Sequence, residues 1–144
     1  MTETVRPSWL EFAGAHVSLA RKLDGGRDRL IIRGNPQGLG SVAAALAWLG
    51  AYSDPSALSL SALPYVRATG SLALSVVLTN SRTPYQGRLT RTDRDAQFEW
   101  QIEYTSLCEV GSGLFRTAVL DDSGEYFEPA LDPSSDAGLI FEVS

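Results

Sequence analysis

The sequence is poor in the two residues that build most disulfide frameworks and zinc sites, with one cysteine, Cys108, and one histidine, His16. One cysteine cannot close an internal disulfide, and zinc sites take most of their ligands from Cys and His. A Cys–His catalytic pair would also have to unite residues from distant parts of the chain. We therefore predict a protein that is not an enzyme and carries no metal or other cofactor. A calcium or magnesium site formed by carboxylates alone remains an alternative.

A long hydrophobic run is also missing. The longest uncharged stretch, residues 34–53, is interrupted by Pro36, by glycines and by polar residues, so it does not suit a membrane-spanning helix. The opening stretch, MTETVRPSWLEF, has no basic region followed by an apolar one, which a secretory signal would need. These patterns predict a cytoplasmic protein without a membrane partner.

Positive charge is scarce in the later part of the chain. Residues 1–92 contain ten Lys or Arg and five Asp or Glu, whereas residues 93–144 contain two and twelve, so the net charge of -5 conceals two opposite regions. Six carboxylates and no base lie between residues 121 and 138. This distribution argues against nucleic-acid binding and favours a basic protein partner. The alternative is that these carboxylates lie in solvated turns beside the basic N-terminal part.

The hydrophobic periodicities present predict an α+β fold, in which one principal helix, at about residues 36–52, packs on a mostly antiparallel sheet. Residues 15–34 have the pattern of a β-hairpin. Period-two patterns predict further strands at residues 70–80, 88–92, 96–104, 113–120, 125–129 and 138–144. The strand at 96–104 is the clearest, because it places three aromatic rings and one isoleucine on a single face: Phe98, Trp100, Ile102 and Tyr104. No internal repeat is visible, and residues 1–144 are expected to form a single domain.

The glycine-rich start of the predicted helix, GNPQGLG, raises the question of a phosphate site. GLGSVA matches part of a dinucleotide-binding pattern, but the acidic residue expected about 20 positions later is absent, and the P-loop lysine is missing as well. Asn35 suits a helix N-cap and Pro36 the first helical position. Gly38 and Gly40 weaken a helix, so they predict the close approach of another group. A ligand- or nucleotide-binding enzyme with its site at residues 34–41 is kept as the alternative hypothesis.

The predicted helix contains no charged residue. Arg33 and Asp54 are the nearest charges on either side. Trp48 and Tyr52, four positions apart, could contact a partner protein or pack in the core. A homodimer formed through these rings is a further possibility beside a monomer.

Residues 29–79 resemble a family of small predicted immunity proteins of bacterial polymorphic toxin systems. The resemblance rests on a strand, a Gly-Asn-Pro-x-Gly-Leu turn, a leucine-rich helix and a closing strand that contains Gly-Ser. In this chain the turn and the closing strand are formed by Gly34, Asn35, Pro36, Gly38 and Leu39, and by Gly70, Ser71, Leu72 and residues 74–78. The resemblance implies a strand–helix–strand core at residues 29–79, with residues 80–144 as an acidic, β-rich extension. It also implies an immunity protein that neutralises a cognate toxin by binding it.

A toxin that is a nuclease or a nucleotide-using enzyme would have a basic site, which an acidic surface could occupy. The residues expected to contact it are six carboxylates, two aromatic anchors beside them and the two helix rings: Asp121, Asp122, Glu125, Glu128, Asp132, Asp136, Tyr126, Phe127, Trp48 and Tyr52.

Overall fold

The computed structural model describes residues 11–51, 57–92, 96–120 and 124–144. Its helices and strands are β1 (Val17–Asp24), β2 (Arg27–Gly34), α1 (Pro36–Ala51), β3 (Ala57–Ser59), β4 (Val66–Ala68), β5 (Ala73–Thr79), β6 (Arg88–Arg91), β7 (Gln97–Glu103), α2 (Tyr104–Val119), β8 (Tyr126–Phe127) and β9 (Ala137–Val143). The α+β class, the hairpin at β1 and β2 and the helix after the Asn-Pro turn are confirmed.

The strands form two mixed sheets instead of the one mostly antiparallel sheet that the sequence predicts, with four antiparallel and three parallel strand pairs among the described residues. One sheet has the order β4-β1-β2-β9-β8 and the other β3-β5-β7-β6. The pairs β1–β4, β2–β9 and β5–β7 are parallel. Alternation of apolar residues shows which face of a strand is buried, but it is the same for either direction of a neighbouring strand, so the pattern could not reveal this pairing.

A second helix, α2, lies where a strand was predicted at residues 113–120. The described residues therefore contain two helices, whereas the sequence predicts one principal helix. Helix α2 begins after Glu103, whose carboxylate accepts hydrogen bonds from the backbone N–H groups of Thr105 and Ser106. These bonds lower the pKa of the Glu103 carboxyl, the Thr105 bond most. Tyr104, predicted on the buried face of β7, is instead the first residue of α2 and is half exposed. Glycines, β-branched residues and serines weaken the helical signal of this segment.

The second half of the chain repeats the architecture of the first, which the sequence did not indicate. Each half has a hairpin, a helix of 16 residues, a short edge strand (β3 or β8) and a closing strand of seven residues. The first half has one further edge strand, β4, without a counterpart among the described residues. Six buried positions of α1 recur 68 positions later in α2, namely Leu39, Val42, Ala43, Leu46, Leu49 and Gly50 as Leu107, Val110, Gly111, Leu114, Thr117 and Ala118. Three of the six pairs are identical, namely Leu39 and Leu107, Val42 and Val110, and Leu46 and Leu114, whereas the other three differ. Such sparse identity gives no visible repeat in the sequence.

The two halves exchange their closing strands. β5 of the first half lies beside β7 of the second, and β9 of the second lies beside β2 of the first. Ile32 lies beside Phe141, and its counterpart Trp100 lies beside Val76. Residues 80–144 are therefore not an extension of a 29–79 core, because each sheet is completed by a strand from the other half.

One hydrophobic core joins both sheets and both helices. Trp100 and Phe141 are its largest fully buried side chains, and their ring centroids lie 6.2 Å apart. The helices pack against each other in antiparallel directions, because the end of α1 at Gly50 contacts Tyr104 and Leu107 at the start of α2. This arrangement leaves the outer sides of α1 and α2 next to each other on the surface.

Candidate functional site

The Gly-Asn-Pro turn binds the chain's own loop before β1. The side-chain oxygen of Asn35 accepts hydrogen bonds from the backbone N–H groups of Gly38, at 2.8 Å, and His16, at 3.0 Å. Its amide nitrogen donates to the carbonyl oxygen of Gly14, at 2.8 Å. Asn35 is thus the N-cap that the sequence predicts, and it also fastens residues 14–16 to the start of α1.

Gly38 and Gly40 allow this loop to approach the helix. A Cβ atom on Gly38 would lie 2.5 Å from the carbonyl oxygen of His16 and 2.7 Å from a methyl group of Val17. A Cβ atom on Gly40 would lie 2.8 Å from the ring of Phe12. The close approach predicted from the glycines is confirmed. The chain itself therefore covers Gly38 and part of Gly40, where the alternative hypothesis places a ligand, while Pro36 and Gln37 line an open groove.

The aromatic residues predicted to contact a partner differ in exposure. Trp48 is 7% exposed and belongs to the core, so it offers little surface to a partner. Phe127 is half-buried, with its ring centroid 6.4 Å from that of Phe141, and it supports the core more than it anchors a partner. Tyr126 on the edge strand β8 is 61% exposed and remains available. Tyr52, Asp121 and Asp122 lie outside the described residues.

Several of the predicted carboxylates already have partners within the fold. Glu128 pairs with Arg29, at 3.3 Å, and Asp136 accepts a hydrogen bond from the backbone N–H of Arg91, at 2.8 Å. Asp132 accepts hydrogen bonds from the backbone N–H and the hydroxyl of Ser134, which lower the pKa of its carboxyl. Glu125 is exposed. The contact between Glu128 and Arg29 fits the alternative that the acidic turns lie beside the basic N-terminal part.

Two of the predicted carboxylates, Glu128 and Asp132, line a cleft of about 360 Å³ at the end of the first sheet. The hairpin of β1 and β2 contributes the other charged residues of its lining, which are Asp24, Arg27, Asp28 and Arg29. We call this site the acidic cleft, because four carboxylates face two guanidinium groups. Sequence reasoning missed Asp24 and Asp28, since no local pattern shows that a turn near residue 25 meets residues 128–133.

Asp28 is held as a carboxylate beside the cleft. Nε and Nη2 of Arg21 donate to its two oxygens at 3.0 and 2.8 Å. Nη1 of Arg91 lies 3.7 Å away. The hydrogen bonds from Arg21, more than the other nearby charges, lower the pKa of the Asp28 carboxyl below its ordinary value of 3.8. Arg21 also stacks over Phe98, with its guanidinium carbon 5.6 Å from the ring centroid, so the ion pair is anchored to the core.

Acidification is expected to destabilise the protein, in part through Asp28. Because the pKa of Asp28 is lower in the folded than in the unfolded state, its contribution is complete above the unfolded pKa and is lost as the pH falls through the folded pKa. The loss should therefore begin below about pH 4. Urea unfolding of the wild type and of Asp28→Asn between neutral pH and low pH measures it. The variant should be less stable at neutral pH and should lose less stability on acidification.

Glu109→Gln, on the exposed face of α2, serves as the control for removal of one carboxylate. If Asp28→Asn followed the same pH dependence as the wild type, the ion pair with Arg21 would not contribute to acid sensitivity.

The outer side of the helix pair is an apolar surface that sequence reasoning also missed. Tyr104, Phe115 and Val119 of α2 are 52%, 48% and 61% exposed, and Phe12 beside them is 40% exposed. Cys108 is exposed on the same side. A hydrogen bond between the side chains of Tyr104 and Cys108 raises the pKa of the Tyr104 phenol. The helical spacing of these residues was the available signal, but it is visible only once residues 104–119 are recognised as a helix.

Two grooves lie on this surface, one on each side of Phe115. The first, of about 350 Å³, is formed by Phe12, Phe115 and the facing ends of α1 and α2. The second, of about 440 Å³, is formed by α1 and α2 alone, with Ala47, Tyr104 and Cys108 in its lining. Contiguous exposed apolar surface of this kind is typical of protein interaction sites.

Among the described residues, no helix has the length and apolar character needed to cross a membrane. Within the same residues, no group of three or more His, Cys, Asp or Glu side chains is placed to hold a metal ion. Comparison with protein-family models, with curated proteins and with solved structures finds no match for this chain.

Proposed function

We propose that this protein is an immunity protein that neutralises a cognate bacterial toxin by direct binding in the cytoplasm. The observation that supports this most directly is the acidic cleft, in which Glu128 and Asp132 are joined by Asp24 and Asp28 from the opposite end of the chain. The resemblance of residues 29–79 to predicted immunity proteins is consistent with it. The chain acts in this proposal as a binding protein rather than an enzyme.

In this proposal a lysine or arginine of the toxin enters the acidic cleft. Within the cleft, Asp28 is already paired with Arg21 and lies near Arg91. The attraction for a cation therefore comes from Asp24, Glu128 and Asp132. Arg29 already pairs with Glu128, at 3.3 Å, and with Asp24, at 3.6 Å, and an arriving cation competes with it for these oxygens. The exposed ring of Tyr126, on the edge strand next to Glu125, supplies an apolar contact beside the charges.

Such a surface has a defined physical role in toxin neutralisation. Opposite charges accelerate the encounter of the two proteins, and the effect decreases with salt. The acidic cleft would both attract and cover a basic active site, as in a nuclease or a nucleotide-using enzyme. Fast association matters for an inhibitor, because free toxin is active until it is bound.

The test is binding to the toxin encoded beside this protein, measured by co-purification, by protection of cells and by association kinetics. Glu128→Gln with Asp132→Asn removes two charges of the cleft and keeps an oxygen acceptor at each position. We expect the association rate at low salt to fall by about tenfold or more, and its salt dependence to weaken. Glu11→Gln with Glu99→Gln removes the same charge at residues that line neither the acidic cleft nor the two helix grooves, and it should change the rate much less.

Two results would contradict the proposal at different levels. If the wild-type protein neither protects cells nor co-purifies with the toxin, the proposed function is wrong. If it does both, but the cleft variant associates as fast as the control variant, the toxin is bound elsewhere on the surface.

A further inference from the structure

The two grooves of the helix surface are counterparts in the internal repeat. With the correspondence of 68 positions between α1 and α2, Gly40 of the first groove matches Cys108 of the second. In the same way, Phe115 in the first groove matches Ala47 in the second. The antiparallel packing of the helices repeats the same type of depression at both ends of the pair.

The first groove shows what packs beside such a depression. The side chain of Phe12 forms one wall of it, and its ring lies so close to Gly40 that a Cβ atom there would come within 2.8 Å. The backbone N–H of Phe12 donates to the hydroxyl of Ser41, at 2.8 Å, and this hydroxyl donates in turn to the carbonyl oxygen of Gln37. One aromatic ring and one backbone N–H, both from a non-helical segment, therefore pack against α1 at this groove and leave its volume of about 350 Å³ open.

The second groove differs from the first in a way that leaves more room. Its lining comes from α1 and α2 only, and no residue from the loop before β6 enters it. Ala47 stands where the first groove has the ring of Phe115, which opens space over α1. Cys108 stands in place of Gly40, so a bound ring cannot lie directly over this turn of α2 and has to lie nearer Ala47. Glu109 is the counterpart of Ser41, and its exposed carboxylate is an acceptor for a backbone N–H.

We propose that the second groove binds an aromatic side chain carried by an extended segment of the protein partner, as the first groove has the ring of Phe12 packed against its α1 wall. The ring lies against Ala47 between Tyr104 and Phe115, and Glu109 accepts the backbone N–H of the incoming residue. Burying one such ring removes roughly 150–250 Å² of apolar surface from water, which is the scale of a hot-spot contact. The inference rests on the proposed function only for the identity of the partner.

Cys108 is a native reporter for this groove, because it is the only cysteine of the chain and lines the groove. The experiment follows the rate at which Cys108 reacts with an aromatic disulfide reagent in the presence of a capped peptide of sequence LEFAGA, which is the chain's own segment around Phe12. At ten times the Kd of the peptide, the rate should fall by about tenfold, because the reagent then reaches only the free fraction of the protein. LEAAGA, which lacks the ring, should leave the rate unchanged.

A variant tests the position of the ring. Ala47→Phe restores in the second groove the ring that Phe115 supplies in the first, so it should abolish protection by LEFAGA. Leu23→Phe adds a ring at an exposed site that lines neither groove, and it should retain protection. If Ala47→Phe does not fold, the comparison of the two peptides on the wild-type protein still tests whether the groove binds an aromatic ring.

The proposal is overturned if LEFAGA gives no protection up to its solubility limit, or if LEAAGA protects equally well. It is also overturned if Cys108 is protected without peptide as the protein concentration rises and light scattering finds a dimer, since the groove is then an interface between copies. No toxin is used in this experiment, so its failure and the failure of the proposed function are distinguishable.

Discussion

Replacing Trp100 with alanine should destabilise the protein by about 3–5 kcal/mol, which is the usual cost of deleting a large buried aromatic side chain. Trp100 is fully buried, contacts Phe141 of the exchanged strand β9 and donates from its indole nitrogen to the carbonyl oxygen of Gln86, at 3.0 Å. The substitution therefore leaves a cavity where the two halves meet and removes a buried hydrogen bond. The free energy of unfolding from urea denaturation, followed by circular dichroism, measures this loss.

Leu23→Ala is the matched control for the truncation of a large apolar side chain. Leu23 is 70% exposed, and surface substitutions usually change stability by less than about 0.5 kcal/mol. A loss of less than about 1 kcal/mol for Trp100→Ala would mean that this region of the core repacks, and that Trp100 does not tie the halves together.

Gly38→Ala should also destabilise the protein, by about 1–3 kcal/mol, although alanine is the better helix former. The added Cβ atom would lie 2.5 Å from the carbonyl oxygen of His16, which is backbone and is held by its own hydrogen bond from Asn35. Either the loop before β1 or the first turn of α1 must move. Thermal and urea unfolding measure the change in stability, and hydrogen exchange at His16 reports whether the loop is displaced.

Gly50→Ala is the control, on the same helix. A Cβ atom on Gly50 would have its nearest neighbours at 3.5–3.6 Å, which is ordinary contact distance, so alanine should stabilise the protein by about 0.5–1 kcal/mol. Opposite signs for the two substitutions are expected. If Gly38→Ala were also stabilising, the helix start would have room for a side chain or a ligand, and the alternative site at residues 34–41 would regain support.

Much of the local structure follows from the sequence. Alternating apolar residues located both strands of the first hairpin, and Asn35 with Pro36 marked the start of α1. In each case the deciding interactions join residues that are close along the chain, so a local pattern contains the information. The helix α2 could not be predicted from such a pattern, because the helical spacing of Leu107, Val110 and Leu114 competes with residues that favour strands and turns.

The candidate site was less accessible to sequence reasoning than the fold class. The acidic cleft includes Glu128 and Asp132 as expected, but it also depends on Asp24 and Asp28, which lie about a hundred positions away in the chain. The sequence suggests an aromatic contact at Trp48, yet its side chain is 7% exposed and belongs to the hydrophobic core. The apolar surface could not be predicted at all while residues 104–119 were read as a strand and a turn.

The sequence by itself determined the charge division, the first hairpin, the capped start of α1 and the α+β class, because composition, turn residues and periodicity are properties of neighbouring residues. Only the tertiary structure decided that the halves repeat, that they exchange β5 and β9, and that the acidic cleft and the helix grooves exist. Each of these depends on which strands and helices lie side by side. The same local pattern is compatible with several ways of pairing the strands and helices. Packing of the shared core around Trp100 and Phe141 stabilises one of these arrangements.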